Sequence, residues 1–199
     1  PISKAQAEAI RYFYFCLRFA ALLHDTGHFP FSHQFENAEA VRKLLSDSKL
    51  FEKLWKGGGW KKYYKAKPMH ELSHEHYSVR IADEILRELP REGRKIYSQD
   101  VIGIMETSSC EPSKQFINSA RHVLKLLMRE PKELRGISDE EAAGLFKEFF
   151  KSIISGEIDI DKMDYLLRDS FYTGCQYGAY NLDHLLNTLR IGFTKRPKW

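Results

Sequence analysis

The sequence predicts an all-α protein, and three observations carry that prediction. Polar residues suited to capping stand directly before apolar runs of helical period, as at Ser73, Ser113, Ser138 and Asp159. Prolines stand where two of those runs stop, at Pro90 and Pro131. No stretch alternates apolar and polar residues with β-branched enrichment, and no Asn-Gly or Asp-Gly hairpin turn occurs.

In order, Ala5 to Leu23 is a long apolar and aromatic helix that ends on the polar pair His24-Asp25. Ser73 caps a helix reaching Leu89, in which Val79, Ala82, Leu86 and Leu89 recur at helical spacing. Ser113 caps a helix running to Glu130. Ser138 and Glu141 match a capping box, opening a helix that ends near Gly156. Asp159 caps the next, with Asp161 to Ser170 as its interior, and a short last helix spans Leu182 to Leu189. Loops are expected at Thr26–Pro30, Gly57–Lys67 and Gly174–Tyr180. No internal repeat is visible, so residues 1–199 are expected to form one helical domain with a flexible basic loop over 56–67.

Composition narrows the class. Hydrophobic residues make up 43% and charged residues 29%, values of an ordinary water-soluble globular chain. No apolar run approaches a membrane span, and the N-terminus lacks a signal-peptide layout, so the expectation is a cytoplasmic protein with no membrane partner. Three scattered cysteines (Cys16, Cys110, Cys175) exclude a disulfide framework or a Cys-based zinc site. The net charge of +4 is uneven: Lys53 to Lys67 holds six lysines and no acid, interleaved with Trp55, Trp60, Tyr63 and Tyr64. Cations among aromatics suit a polyanion, by phosphate contacts and base stacking. The favoured reading is plainer: Gly57, Gly58 and Gly59 mark a solvated, mobile loop that steers anions.

The chemistry concentrates in histidine. Six of the eight (His24, His28, His33, His70, His74, His76) lie between positions 24 and 76. Imidazole is a borderline metal ligand and a proton carrier near neutral pH. His24 to His33 reads His-Asp-Thr-Gly-His-Phe-Pro-Phe-Ser-His directly after an apolar helix, and Gly27 and Pro30 are expected to turn the chain so that His28 and His33 face one cavity. Downstream, Asp161, Tyr165 and Asp169 are spaced by four, on one helical face beside Lys162. A surface ion-pair ladder, with Asp161 facing Tyr165 and Asp164 facing Arg168, explains that spacing equally well. His74-Glu75-His76 opens the Ser73 helix, where backbone N–H groups favour a phosphate, although the stretch alone reads as a polar helix start and nothing more.

Together these strings resemble the HD superfamily of metal-dependent phosphohydrolases, in particular its deoxynucleoside triphosphate triphosphohydrolase-like branch. The resemblance runs from about Leu17 to Leu189 and includes Tyr172-Thr173-Gly174. It implies an HD-domain helical bundle with His24, Asp25 and Asp161 as ligands of one divalent ion: Mg, Mn, Fe, Ni or Zn. It further implies that His28, Glu36 and His74 surround the scissile phosphate as proton-transfer and charge-stabilising groups. Lys162 and Tyr165 would contact substrate phosphates, Asp169 would lie near the sugar, and His33 along the substrate wall. The implied substrate is a nucleotide or another phosphate ester, nucleic acid is a further candidate partner, and the chain is expected to self-associate as a homo-oligomer.

The family pattern has a first histidine ligand upstream of the HD string and several more helices downstream. Only 23 residues precede His24, and none forms the upstream motif, so the chain is expected to be truncated at both ends. His70 or His76 are the candidates to replace that ligand. Two alternatives use the same residues. One is an inert HD scaffold that binds nucleotide or nucleic acid; the other is a two-metal HD chemistry, a cyclic-nucleotide phosphodiesterase or a di-iron oxygenase.

Overall fold

The computed structural model describes residues 1–57, 59–64, 72–89, 96–106, 110–127 and 136–190. Among them are ten α-helices and no strand. These are α1 (Lys4–Leu23), α2 (His33–Glu36), α3 (Glu39–Leu45), α4 (Ser48–Gly57), α5 (His74–Glu88), α6 (Ser98–Met105), α7 (Lys114–Leu127), α8 (Asp139–Ile154), α9 (Ile160–Thr173) and α10 (Leu182–Thr188). The all-α expectation holds, and no helix among the described residues is long and apolar enough to cross a membrane.

The caps act as their chemistry dictates. Ser3 accepts from the Gln6 N–H, Ser138 from Glu141, and Asp159 from Lys162, each satisfying a donor that has no partner inside its helix. Four helices were not legible as helices: α2, α3, α4 and α6. The reason is clearest for α6, where every residue from Asp100 to Met105 is buried. A short run that is apolar on all sides has no face to betray its period.

That helix is the middle of the bundle. α1, α5 and α8 pack round it, α7 closes the core against α1 and α8, and Ala9, Phe13, Cys16, Ala20 and Leu23 point inward from α1 at three- and four-residue spacing. Phe13 lies 4.8 Å from Phe116, 5.0 Å from Phe146 and 5.1 Å from Phe150 between ring centroids, tying three helices to one side chain. Asp100 is buried within this core with its carboxylate satisfied: Tyr12 donates to it, and so do the Ser113 N–H (2.7 Å) and hydroxyl (2.6 Å). Burial still holds its carboxyl above the usual carboxylate range.

The expected basic loop differs from its prediction. Residue 58 and residues 65–67 lie outside the described part, but the aromatics that the structure describes are packed. Trp55, Trp60, Tyr63 and Leu72 are buried; Trp60, 1% exposed, stacks on Trp55 and donates its indole N–H to the Leu54 carbonyl at 2.9 Å. Tyr63 and Lys62 both donate to the buried Asp83 carboxylate. Burial of large apolar rings outweighs the loop-forming bias of three glycines. Stacking on nucleic-acid bases loses its support, because buried rings offer no face. Trp60→Ala is therefore expected to cost about 3–5 kcal/mol in urea unfolding. A solvated loop would lose under about 0.5 kcal/mol.

Candidate metal centre

Four segments build the site. α1 ends at His24, which makes the last helical N–H bond of α1 to Ala20 O at 2.9 Å, and so delivers His24 and Asp25 to one end of the bundle. The chain then turns back through Phe31 (φ 66°) and Ser32 (φ 51°), both in the left-handed region. Two such non-glycine residues in succession cost roughly 1–3 kcal/mol each. Gly27 and Pro30 lie in turns as expected, closed by the His28 N–H to the Asp25 carbonyl at 3.0 Å and the Ser32 N–H to the Phe29 carbonyl at 2.8 Å, and the positive-φ pair follows directly after Pro30.

Gly27 is needed for a different reason. A Cβ there would stand 2.2 Å from the carbonyl oxygen of His74 and 2.3 Å from the backbone nitrogen of Ser78. Only glycine lets this turn lie against the first turn of α5, where the Gly27 N–H donates to the buried Ser78 hydroxyl at 2.8 Å. This contact sets the HD turn beside His74. Ser78 escaped the sequence reading; its one signal is a small polar residue four positions after His74, among apolar positions of the helix.

The fourth segment is α9. Asp159 caps it, and the Lys162 ammonium donates to the Asp159 carboxylate and to Gly156 O (2.9 Å), latching the start of α9 to the end of α8. That latch presents Asp161 in the first turn. The structure brings His24, Asp25 and Asp161 together across 137 positions: one ligand atom from each lies within 4.8 Å of the others. His24 Nδ1 lies 3.0 Å from the Ala21 carbonyl, so that nitrogen carries the hydrogen. Its Nε2, 3.4 Å from Asp25 Oδ1, is left with a free lone pair. An orientation fixed through one ring nitrogen is how a liganding histidine is commonly held, and the donor set fits a divalent ion.

Beside it stands a second group: His28, His33, Glu36 and His74, again with one ligand atom each within 4.8 Å. The His28 and His74 rings stack at 3.9 Å between centroids. Glu36 faces the Nδ1 of all three imidazoles, at 3.9 Å from His28, 3.4 Å from His33 and 3.2 Å from His74. Asp25 joins the two groups, its Oδ1 being 3.7 Å from His28 Nε2. Burial, helped by the neighbouring His74, pulls the His28 pKa below the usual imidazole value, against the opposite pull of Asp25 and Glu36.

The other five candidates belong to neither group or fall outside the described residues. His76 accepts from the Ser73 N–H at 3.1 Å and stacks on Tyr64 at 4.8 Å, so it serves the start of α5 and belongs to neither group. His70 falls outside the described residues. Lys162 is committed to its latch, Tyr165 is half-buried on the face that Asp161 begins, and Asp169 is exposed, 3.7 Å from Arg168. The ion-pair ladder is present for Asp164 and Arg168. Asp161 instead has a carboxylate oxygen within 4.8 Å of ligand atoms of His24 and Asp25.

The model of the HD domain family matches residues 3–169 of this sequence, a span that holds both groups. The chain belongs to the HD domain family. Among curated relatives, this HD chain is 26% identical over 173 residues to the uncharacterized protein YwfO of Bacillus subtilis, a match covering 86% of this chain and 24% of that one. It is 54% identical over 37 residues to the uncharacterized protein MJ1154 of Methanocaldococcus jannaschii, 19% of this chain and 8% of that one. It is 25% identical over 184 residues to the deoxynucleoside triphosphate triphosphohydrolase SAMHD1 of Bos taurus, 88% of this chain and 24% of that one. The HD chain thus spans about a quarter of the length of YwfO and of SAMHD1. No solved structure gives a significant match.

Proposed function

We propose that this chain carries the active site of a metal-dependent phosphohydrolase that cleaves a nucleotide, foremost a deoxynucleoside triphosphate, or a related phosphate ester. One observation carries the reading: a mixed imidazole and carboxylate ligand group stands against a His/Glu group, with Asp25 between them. Membership of the HD family and the likeness to the bovine triphosphohydrolase support it.

His24, Asp25 and Asp161 would hold one divalent ion. Two carboxylates to one imidazole suit Mg²⁺ or Mn²⁺, with Fe, Ni and Zn as the remaining candidates. When bound, the ion supplies Lewis acidity to a phosphoryl oxygen and lowers the pKa of water. The remaining work falls to this chain. His28 Nε2, 3.7 Å from Asp25 Oδ1, would take a proton from an attacking water and return one to the leaving oxygen. Its Nδ1, 3.2 Å from Ser32 Oγ, is held by that hydroxyl and faced by Glu36, which keeps the ring in one orientation. The lowered pKa keeps His28 unprotonated near pH 7, ready to act first as a base. His74 stands at the first position of α5, where backbone N–H groups and the helix dipole favour the charge of a phosphate.

The test is hydrolysis of a nucleotide panel with added Mn²⁺. Release of phosphate or triphosphate from a deoxynucleoside triphosphate, at least about 100-fold above the chelator-treated control, is the expected result, in the range by which a lost catalytic group lowers turnover. A chain that binds nucleotide without turning it over, and purifies without metal, would instead be an inert HD scaffold.

A further inference from the structure

We infer that His28, His33, Glu36 and His74 form a second cation site, selective for imidazole-seeking ions such as Zn²⁺. Filling it would switch the proton-transfer group off.

The first argument is unsatisfied polarity. Glu36 Oε1 and His74 Nδ1 are both buried, stand 3.2 Å apart and have no hydrogen-bond partner of acceptable geometry. A buried carboxylate oxygen without a donor has lost its solvation with nothing in return, which destabilises the ion-free group. Its nearest neighbours are imidazole nitrogens: Nδ1 of His74 and Nδ1 of His28, with Nδ1 of His33 at the other carboxylate oxygen. A cation accepted by the carboxylate and the ring nitrogens would satisfy them at once.

The second argument is charge. Three imidazoles with ring centroids 3.9, 5.0 and 5.1 Å apart stand round a single carboxylate, so the group offers nitrogen donors and one negative charge. One carboxylate then leaves a divalent ion with a single residual positive charge, tolerable in a half-buried place open to solvent at His33.

Size and softness agree. In a tetrahedral Zn²⁺ site with bonds of about 2.0 Å, neighbouring ligand atoms stand roughly 3.3 Å apart. The pairs Glu36–His74 at 3.2 Å and Glu36–His33 at 3.4 Å already have that spacing. Every pair lies within 4.8 Å, so none needs to close by more than about 1.5 Å, a side-chain rotation. Three nitrogens and one oxygen favour the later first-row ions, whereas the neighbouring set of one nitrogen and two carboxylates favours Mg²⁺ or Mn²⁺. The two groups should therefore sort ions between them. With Asp25 Oδ1 only 3.7 Å from His28 Nε2, an ion in the second group also changes the charge felt by the first.

The existence of the site is independent of the function proposed above; its inhibitory effect rests on that function. The test separates them by removing the first group with Asp161→Ala and titrating the full chain with Zn²⁺ and Co²⁺. The expected result is one ion per chain, with the visible absorption of four-coordinate Co²⁺. Adding His33→Ala or Glu36→Gln should weaken binding roughly 100-fold, at the upper end of what disturbing a metal's ligand shell costs. His33 is 64% exposed along its side chain, so its removal spares the fold, which circular dichroism checks. If Asp161→Ala binds no ion, or if the added substitutions leave affinity unchanged, no such site exists. With one ion bound in the second group, Mn²⁺-supported turnover of the unsubstituted chain should fall at least tenfold. Turnover that persists at full Zn²⁺ occupancy overturns the inhibitory role. Absence of turnover under any condition overturns the proposed function and, with it, the inhibitory role, but leaves the ion site standing.

Discussion

Asp161→Ala is expected to strip the ion from the His24 group and to lower hydrolysis at least about 100-fold, while costing less than about 1 kcal/mol of stability. Asp161 is an exposed residue in the first turn of α9, so its removal leaves no cavity in the core. What it removes is one of two carboxylates in the three-residue group that would hold the ion, and a divalent ion held by His24 and Asp25 alone would lose half its anionic partners. The ladder explanation of the Asp161, Tyr165 and Asp169 spacing makes the opposite forecast: unchanged metal content, unchanged turnover and a similarly small loss of stability. Elemental analysis and hydrolysis rates on the same preparation decide between them, because stability does not distinguish the two.

Gly27→Ala should damage both fold and chemistry although it adds a single methyl group. The new Cβ would meet two backbone atoms, His74 O at 2.2 Å and Ser78 N at 2.3 Å, and backbone cannot rotate aside as a side chain does. The HD turn must lift off α5, losing the hydrogen bond to Ser78 and parting the stacked rings of His28 and His74. Overpacking of about 1–3 kcal/mol and one lost hydrogen bond of about 1 kcal/mol give a destabilisation of roughly 2–4 kcal/mol. Turnover should fall more than about 100-fold, since displacements of about 1 Å suffice to uncouple catalytic groups. Gly57→Ala is the control: nothing lies within 4 Å of a Cβ there, so the substitution should be neutral or slightly stabilising. Thermal unfolding and hydrolysis rates for the pair test the claim. If Gly27→Ala melts with the parent and keeps its rate, the close approach is not what holds the site.

How much was legible depends on how local each cause is. Helix class, the ends of α1, α5, α8 and α9, and the residues that meet at His24 could be read from the chain. Caps act within three or four residues, and the HD and Asp-Ile-Asp strings are specific enough to announce each other. What the chain did not disclose is set by contacts between distant segments. α6 is hidden because burial on all sides erases its period, and Trp60 looked like part of a loop because its partners Trp55 and Tyr77 became visible only when folded together. Gly27 drew notice as a turn residue, yet its cause is the backbone of α5, 51 positions away at Ser78. The sequence by itself determined the all-α class and which residue types gather near His24. Only the tertiary structure decided that these residues divide into two ion-sized groups flanking Asp25, because that division depends on how the turn after α1 lies against α5.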